Sequence, residues 1–93
     1  MPVRVFLPSP LREYSEGLGE VELEAGTVRE LIDRLRERFP GMTERIRDES
    51  GNVRRHVNIF VNSHSIKSLA GLSSTVKEGD KVHILPAISG GLG

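Results

Sequence analysis

The most informative part of the chain is the stretch VKEGDKVHILPAISGG, which spans residues 76–91. Its Glu-Gly-Asp triplet at residues 78–80 is typical of a turn. The alternation that follows over residues 81–86 predicts a strand with Val82 and Ile84 facing inward. The stretch therefore predicts a turn that leads into a half-buried strand near the end of the chain.

The residues after this strand form a different kind of segment. Residues 87–93 show no hydrophobic periodicity and are rich in glycine. We predict that they form a flexible C-terminal tail carrying Gly90 and Gly91, attached to a single folded domain of residues 1–86.

The earlier part of the chain predicts the other strands of a sheet. Residues 3–7 and 20–24 alternate apolar and polar side chains with a period of two, and we expect these two strands to pair antiparallel. Residues 56–61 alternate in the same way, and a minor strand is expected around residues 65–67.

One long helix is predicted between the second and third strands. Thr27 and Glu30 have the spacing of a capping box, and Pro40-Gly41 ends the helix. The helix carries one apolar stripe, formed by Val28, Leu31, Ile32, Leu35 and Phe39. This order of elements predicts an α+β domain: a mixed sheet of four to five strands with one main helix packed on one face.

Length and composition limit what the chain can do. Its 93 residues are 37% hydrophobic and 28% charged, which is typical of one globular domain. The 13 Lys and Arg balance the 13 Asp and Glu, so no net charge attracts nucleic acid or an anionic membrane. The lack of cysteine excludes disulfides, thiolate metal sites and thiol catalysis. No apolar run suits a membrane span or a signal peptide, and we expect a cytoplasmic protein.

No arrangement of residues predicts an active site. His56, His64 and His83 lack the spacing of metal ligands, and we expect them to be exposed sheet or turn residues. A catalytic triad of Ser73 or Ser74 with Asp80 and a histidine is disfavoured, because no strained elbow motif surrounds either serine. No conventional catalytic constellation or metal-ligand set is therefore predicted.

Residues 76–91 resemble the C-terminal signature of the ThiS/MoaD ubiquitin-like sulfur carriers. That signature is Gly-Asp, a polar residue, an apolar strand ending in proline, a small-residue linker and then Gly-Gly. The resemblance extends to residues 11–13 in the first loop, to the helix over residues 27–39 and to VNIFVN at residues 57–62. It implies a β-grasp (ubiquitin-like) fold, and it is closest to the carriers that serve cysteine biosynthesis.

The resemblance also implies a function: a protein cosubstrate that carries sulfur, is not an enzyme and binds no cofactor of its own. In this family a ubiquitin-activating-type enzyme uses ATP to adenylate the terminal glycine, and a sulfur donor then converts it to a thiocarboxylate. By this resemblance Gly91, preceded by Gly90, is the sulfur-carrying terminus, and ATP is used by the activating partner. The acceptor expected first is a cysteine-synthase-like enzyme, with thiamin and molybdopterin synthesis as alternatives.

The last two residues depart from the family pattern. Active carriers end in Gly-Gly, whereas Leu92 and Gly93 follow that pair here. Some relatives carry such an extension and depend on a JAMM-type zinc metalloprotease to remove it. Leu92 and Gly93 are thus expected to be a removable extension. Two alternatives stay open: the extension is a dead end, or Gly93 itself is used.

A docking surface is predicted on the side of the sheet away from the helix. Strand alternation places Phe6, Phe60 and Leu85 there, and a cluster of exposed apolar residues is typical of an interface. The corresponding face in the resembled family binds the activating and acceptor enzymes. The alternative is that loop residues such as Tyr14 cover these side chains.

Two other classes of function compete with the sulfur carrier. A protein modifier would share the activation chemistry and be joined through Gly91 to lysines of other proteins. A β-grasp binding module would show no ATP-dependent change at its terminus.

Overall fold

The computed structural model describes residues 2–86 and contains one mixed sheet. Its five strands are β1 (Val3–Phe6), β2 (Glu20–Leu23), β3 (Val57–Val61), β4 (His64–Ser65) and β5 (Lys81–Pro86). They lie in the order β2-β1-β5-β3-β4. The central pair β1 and β5 is parallel, and the other neighbours are antiparallel, as predicted for β1 and β2.

The main helix begins with the predicted capping box. The Oγ1 of Thr27 accepts a hydrogen bond from the Glu30 amide at 3.1 Å. The Oε1 of Glu30 accepts one from the Gly26 amide at 2.6 Å. The first bond satisfies an amide that the first helical turn leaves without an intrahelical acceptor, and the second reaches back to Gly26, one residue before the N-cap Thr27.

We expect Thr27→Ala to lower the free energy of unfolding by about 1 kcal/mol, because an N-cap hydroxyl is lost. Thr27→Ser keeps the hydroxyl and is the matched control. Chemical denaturation of the three proteins measures the difference. Equal midpoints for wild type and Thr27→Ala would show that the cap contributes nothing.

The helix, α1, spans Val28–Arg38 and ends one residue before the predicted end. Phe39 has φ −134° and ψ 83°, outside the helical region. It precedes Pro40, and a residue before proline is disfavoured in the helical conformation. A second helix of one turn, α2, covers Thr43–Ile46. No helix within residues 2–86 is long and apolar enough to cross a membrane.

The core lies between α1 and one face of the sheet. The predicted apolar stripe is buried, both in α1 and at Phe39, the residue after its end. It belongs to the same cluster as the inward side chains of the strands, which include Val3, Val5, Val21, Val57, Ile59, Val61, Val82 and Ile84. The alternate side chains of the strands therefore face the other side of the sheet.

The connections contain short 3-10 helices that the sequence did not indicate. The loop after β1 forms one over Ser9–Tyr14, and the side chain of Leu11 within it is buried. Two more cover Ile66–Ser68 and Gly71–Ser73.

Several predicted boundaries are wrong by one or two residues. The strands β1 and β2 each end one residue before their predicted ends at residues 7 and 24. The minor strand covers His64–Ser65, not residues 65–67, because the Oγ of Ser65 accepts from the Lys67 amide at 3.2 Å and begins a helical turn. His56 belongs to the turn before β3, which starts at Val57.

A side-chain network joins the turn after β3 to the start of β5. Asn62 has a left-handed φ of 56°, and its Nδ2 donates to the Oδ1 of Asp80 at 3.2 Å. Its Oδ1 accepts from the Lys81 amide at 3.1 Å, and Asp80 Oδ2 accepts from the Lys77 amide at 2.9 Å. These bonds help to fix where the central strand enters the sheet.

Candidate functional site

The side of the sheet opposite α1 carries the three residues predicted to form a docking surface. We call this side the open face, and define it by the outward strand residues Arg4, Phe6, Asn58, Phe60, Lys81, His83 and Leu85. Phe6 and Phe60 are half-buried, and Leu85 is 43% exposed. The structure therefore places Phe6, Phe60 and Leu85 on one face.

The two phenylalanines flank a third ring. In the sheet, His83 on β5 lies opposite Phe6 on one side and opposite Phe60 on the other. The rings of Phe6 and His83 stack with centroids 4.6 Å apart and an angle of 10° between their planes. The centre of the open face is thus an aromatic row, and Leu85 lies two residues further along β5.

His83 corrects a sequence-based expectation. It was expected to be an exposed sheet residue, but it is half-buried and stacked on Phe6. The alternation of residues 81–86 predicted that its side chain points away from the core. Its contact with the Phe6 ring depends on the pairing of β1 with β5. Sequence reasoning therefore missed His83 as part of the aromatic row on the open face.

A charged pair borders the aromatic row. The Arg4 guanidinium lies 5.8 Å from the centroid of the Phe6 ring. Its Nε donates to the Oε2 of Glu20 on β2 at 2.7 Å. An apolar centre with a polar rim is the usual arrangement of protein interfaces, and the open face has both.

Tyr14 does not lie among the residues of the open face. It is partly buried against the core cluster, which occupies the other side of the sheet. The Arg45 guanidinium lies 5.2 Å from its ring centroid. Tyr14 lines a groove together with Leu85, but the alternative in which it covers all three predicted side chains is not supported.

The predicted sulfur-carrying terminus lies outside the described residues, as do the other tail residues Gly90, Leu92 and Gly93. The described strand β5 nevertheless fixes where the tail starts. It lies between β1 and β3 and runs to Pro86, which is opposite Val57. The tail therefore starts from the central strand, next to Leu85 of the open face.

The residues considered for catalysis have structural roles. Ser74 is buried and its Oγ accepts from the Ala70 amide at 3.0 Å. Asp80 accepts from the Lys77 amide. Among residues 2–86, no group of three His, Asp or Glu side chains is placed to hold a metal ion.

A five-stranded mixed sheet with one main helix on a single face defines a ubiquitin-like β-grasp domain. The chain belongs to the ThiS family, whose model matches residues 5–91. The predicted family and fold are both confirmed.

Individual relatives agree with this assignment. The sulfur carrier protein CysO of Mycobacterium tuberculosis is 37% identical over 93 residues, covering 98% of this chain and 100% of that protein. CysO in the crystal structure of the Amycolatopsis orientalis BexX/CysO complex superimposes with a TM-score of 0.88 at 37% identity, covering 96% of this chain and 99% of that one. The small archaeal modifier protein 1 of Methanosarcina acetivorans has a TM-score of 0.81 at 31% identity, covering 97% and 96% of the two chains.

These relatives support a sulfur carrier role for the chain. CysO is a sulfur carrier protein, a small protein cosubstrate and not an enzyme. The expectation that this chain is not an enzyme is confirmed by that kinship.

Proposed function

We propose that the chain carries sulfur as a thiocarboxylate on Gly91, after removal of Leu92 and Gly93, and donates it to cysteine synthesis. The observation that carries this proposal is the match to the ThiS family, which extends to residue 91 and leaves the last two residues outside it. The similarity to CysO supports cysteine as the product, with thiamin and molybdopterin synthesis as alternatives.

The chemistry starts from the terminal carboxylate, which is a poor electrophile. Its oxygen attacks the α-phosphorus of ATP, expels pyrophosphate and leaves an acyl adenylate on Gly91. Hydrosulfide then attacks the acyl carbon and expels AMP, and loss of a proton leaves the thiocarboxylate. Because the chain has no cysteine, no side-chain thiol can carry the sulfur instead.

The tail is suited to entering an enzyme. Residues 87–91 reach about 17 Å beyond the sheet when extended. Gly90 and Gly91 lack a Cβ, so this part of the tail can pass through a narrow channel and adopt backbone angles closed to other residues. The tail can therefore deliver its carboxyl group to a partner while the domain stays outside.

Three partners follow from this scheme. A ubiquitin-activating-type enzyme supplies the ATP chemistry and a cysteine-synthase-like enzyme accepts the sulfur, both docking on the open face. A JAMM-type metalloprotease removes Leu92 and Gly93. The complex of a related CysO with BexX supports the idea that such carriers dock on partner proteins.

The experiment that tests the proposal follows the mass of the chain. A form ending at Gly91 is incubated with its activating enzyme, ATP and sulfide. We expect an AMP adduct, then a mass gain equal to the difference between sulfur and oxygen. Gly91→Ala in the same form should fold normally and load poorly, because its methyl group meets the channel wall. A wild-type terminus that never changes mass would refute the proposal.

Docking on the open face gives a separate prediction. Phe60→Asp should weaken binding to the activating enzyme by about 30-fold or more, since losing an aromatic anchor commonly costs ~2 kcal/mol. Leu69→Asp is the matched control, because Leu69 is 47% exposed but lies outside the open face. Calorimetry measures both affinities, and circular dichroism checks the fold. Equal affinities for the two folded variants would place the docking surface elsewhere.

A second candidate function is protein modification. The similarity to small archaeal modifier protein 1 favours it, and the activation chemistry is the same. In that case Gly91 forms an isopeptide bond with a lysine and AMP leaves. Covalent high-mass conjugates in cells would support the modifier, whereas a terminal thiocarboxylate without conjugates would support the carrier.

A further inference from the structure

A groove lies at the end of the sheet where β5 stops. Its volume is about 350 Å³, and its lining includes Pro10, Leu11, Tyr14, His56, Ile84 and Leu85. The first three belong to the 3-10 helix after β1, and His56 precedes β3. Strand β1 is parallel to β5, and β3 is antiparallel to it. The segment that follows β1 and the segment that precedes β3 therefore meet at the end of the sheet where β5 stops.

The tail has one large apolar side chain close to this end of the sheet in sequence. Between Pro86 and Gly91 the only one is Ile88, which follows Pro86 by two residues. Ile88 follows Ile84 by four residues and Leu85 by three, and both of these β5 residues line the groove. At ~3.3 Å per residue, its Cα can lie only about 7 Å beyond that of Pro86.

The groove suits an aliphatic side chain. Its volume exceeds the roughly 150 Å³ of a cavity that holds benzene, so the groove has room for an isoleucine, with the charged Glu13 and Arg45 also in its lining. One wall is the ring of Tyr14, which is itself held against Arg45. That wall is therefore in place before any ligand arrives.

We propose that this groove is the binding site for the side chain of Ile88. The contact anchors the start of the tail to the domain, so that only residues after 88 extend away from it. Its benefit for sulfur transfer rests on the proposed function, because anchoring gives Gly90-Gly91 a defined starting point and direction.

Nuclear magnetic resonance on the full chain tests the anchor without any partner enzyme or sulfur. We expect Overhauser contacts between the Ile88 methyl groups and the Tyr14 ring, and an Ile88 amide order parameter near about 0.85, typical of rigid backbone. In Ile88→Ser the order parameter at residue 88 should fall below about 0.6, and the Tyr14 ring resonances should shift. Ala87→Ser, beside Ile88 but without a large apolar side chain to place in the groove, is the matched control and should keep the wild-type values.

Two results would overturn the anchor. One is a wild-type order parameter at residue 88 already below about 0.6, with no Overhauser contact to the groove. The other is a Tyr14 resonance that shifts only when activating enzyme is added, because the groove would then bind a side chain of the partner. Neither result depends on whether Gly91 is loaded with sulfur. The anchor and the proposed function can therefore be refuted separately.

Discussion

The full-length chain is expected to resist adenylation and sulfur loading, whereas the form ending at Gly91 accepts both. The reason is chemical: with Leu92 and Gly93 attached, the Gly91 carbonyl is an amide and cannot be adenylated. The only free C-terminal carboxyl then lies two residues beyond the position that the family uses. The expected difference in loading is close to all or none.

Intact-mass spectrometry compares the two forms with the same activating enzyme, ATP and sulfide. Adding a JAMM-type metalloprotease should first remove Leu-Gly from the full-length chain, and loading should follow. A protease with its zinc removed is the control. If the untrimmed chain is loaded at Gly93 as efficiently as the shorter form, the extension is not a cap.

Leu35→Ala is expected to lower the free energy of unfolding by ~2–5 kcal/mol. Leu35 lies on the apolar stripe of α1 and is 0% exposed, so truncation removes buried methyl groups and leaves a cavity. A loss of this size is a large part of the ~5–15 kcal/mol that stabilises a typical domain.

The matched control is Arg36→Ala, at an exposed position of the same helix. Alanine favours helices, so this change should stay within about 0.5 kcal/mol of wild type. Urea denaturation measures both variants. If Leu35→Ala unfolds at the wild-type midpoint, the packing of α1 on the sheet is not what stabilises the domain.

The regular elements could be predicted from the sequence because each has a local signal. The alternation at residues 81–86 gives the bounds of β5 as the structure has them, and the stripe that includes Leu35 gives the buried face of α1. Pro40 is the local stop signal of α1, and the boundary was wrong by only one residue.

The features that were missed depend on contacts between distant segments. His83 stacks on Phe6 only because β5 pairs in parallel with β1 in one particular register, which no local pattern specifies. The groove likewise combines Tyr14, His56 and Leu85 from three separate segments. The alternation of each strand did predict which side its residues face, and so Phe6 and Phe60 were assigned to the open face correctly.

The most direct test of the central claim is the mass of the C-terminal peptide of this protein, purified from cells that also contain its activating enzyme. We expect a peptide that ends at Gly91 and carries a thiocarboxylate, heavier than the carboxylate by the difference between sulfur and oxygen. A peptide that always ends at Gly93 with an ordinary carboxylate would contradict the account.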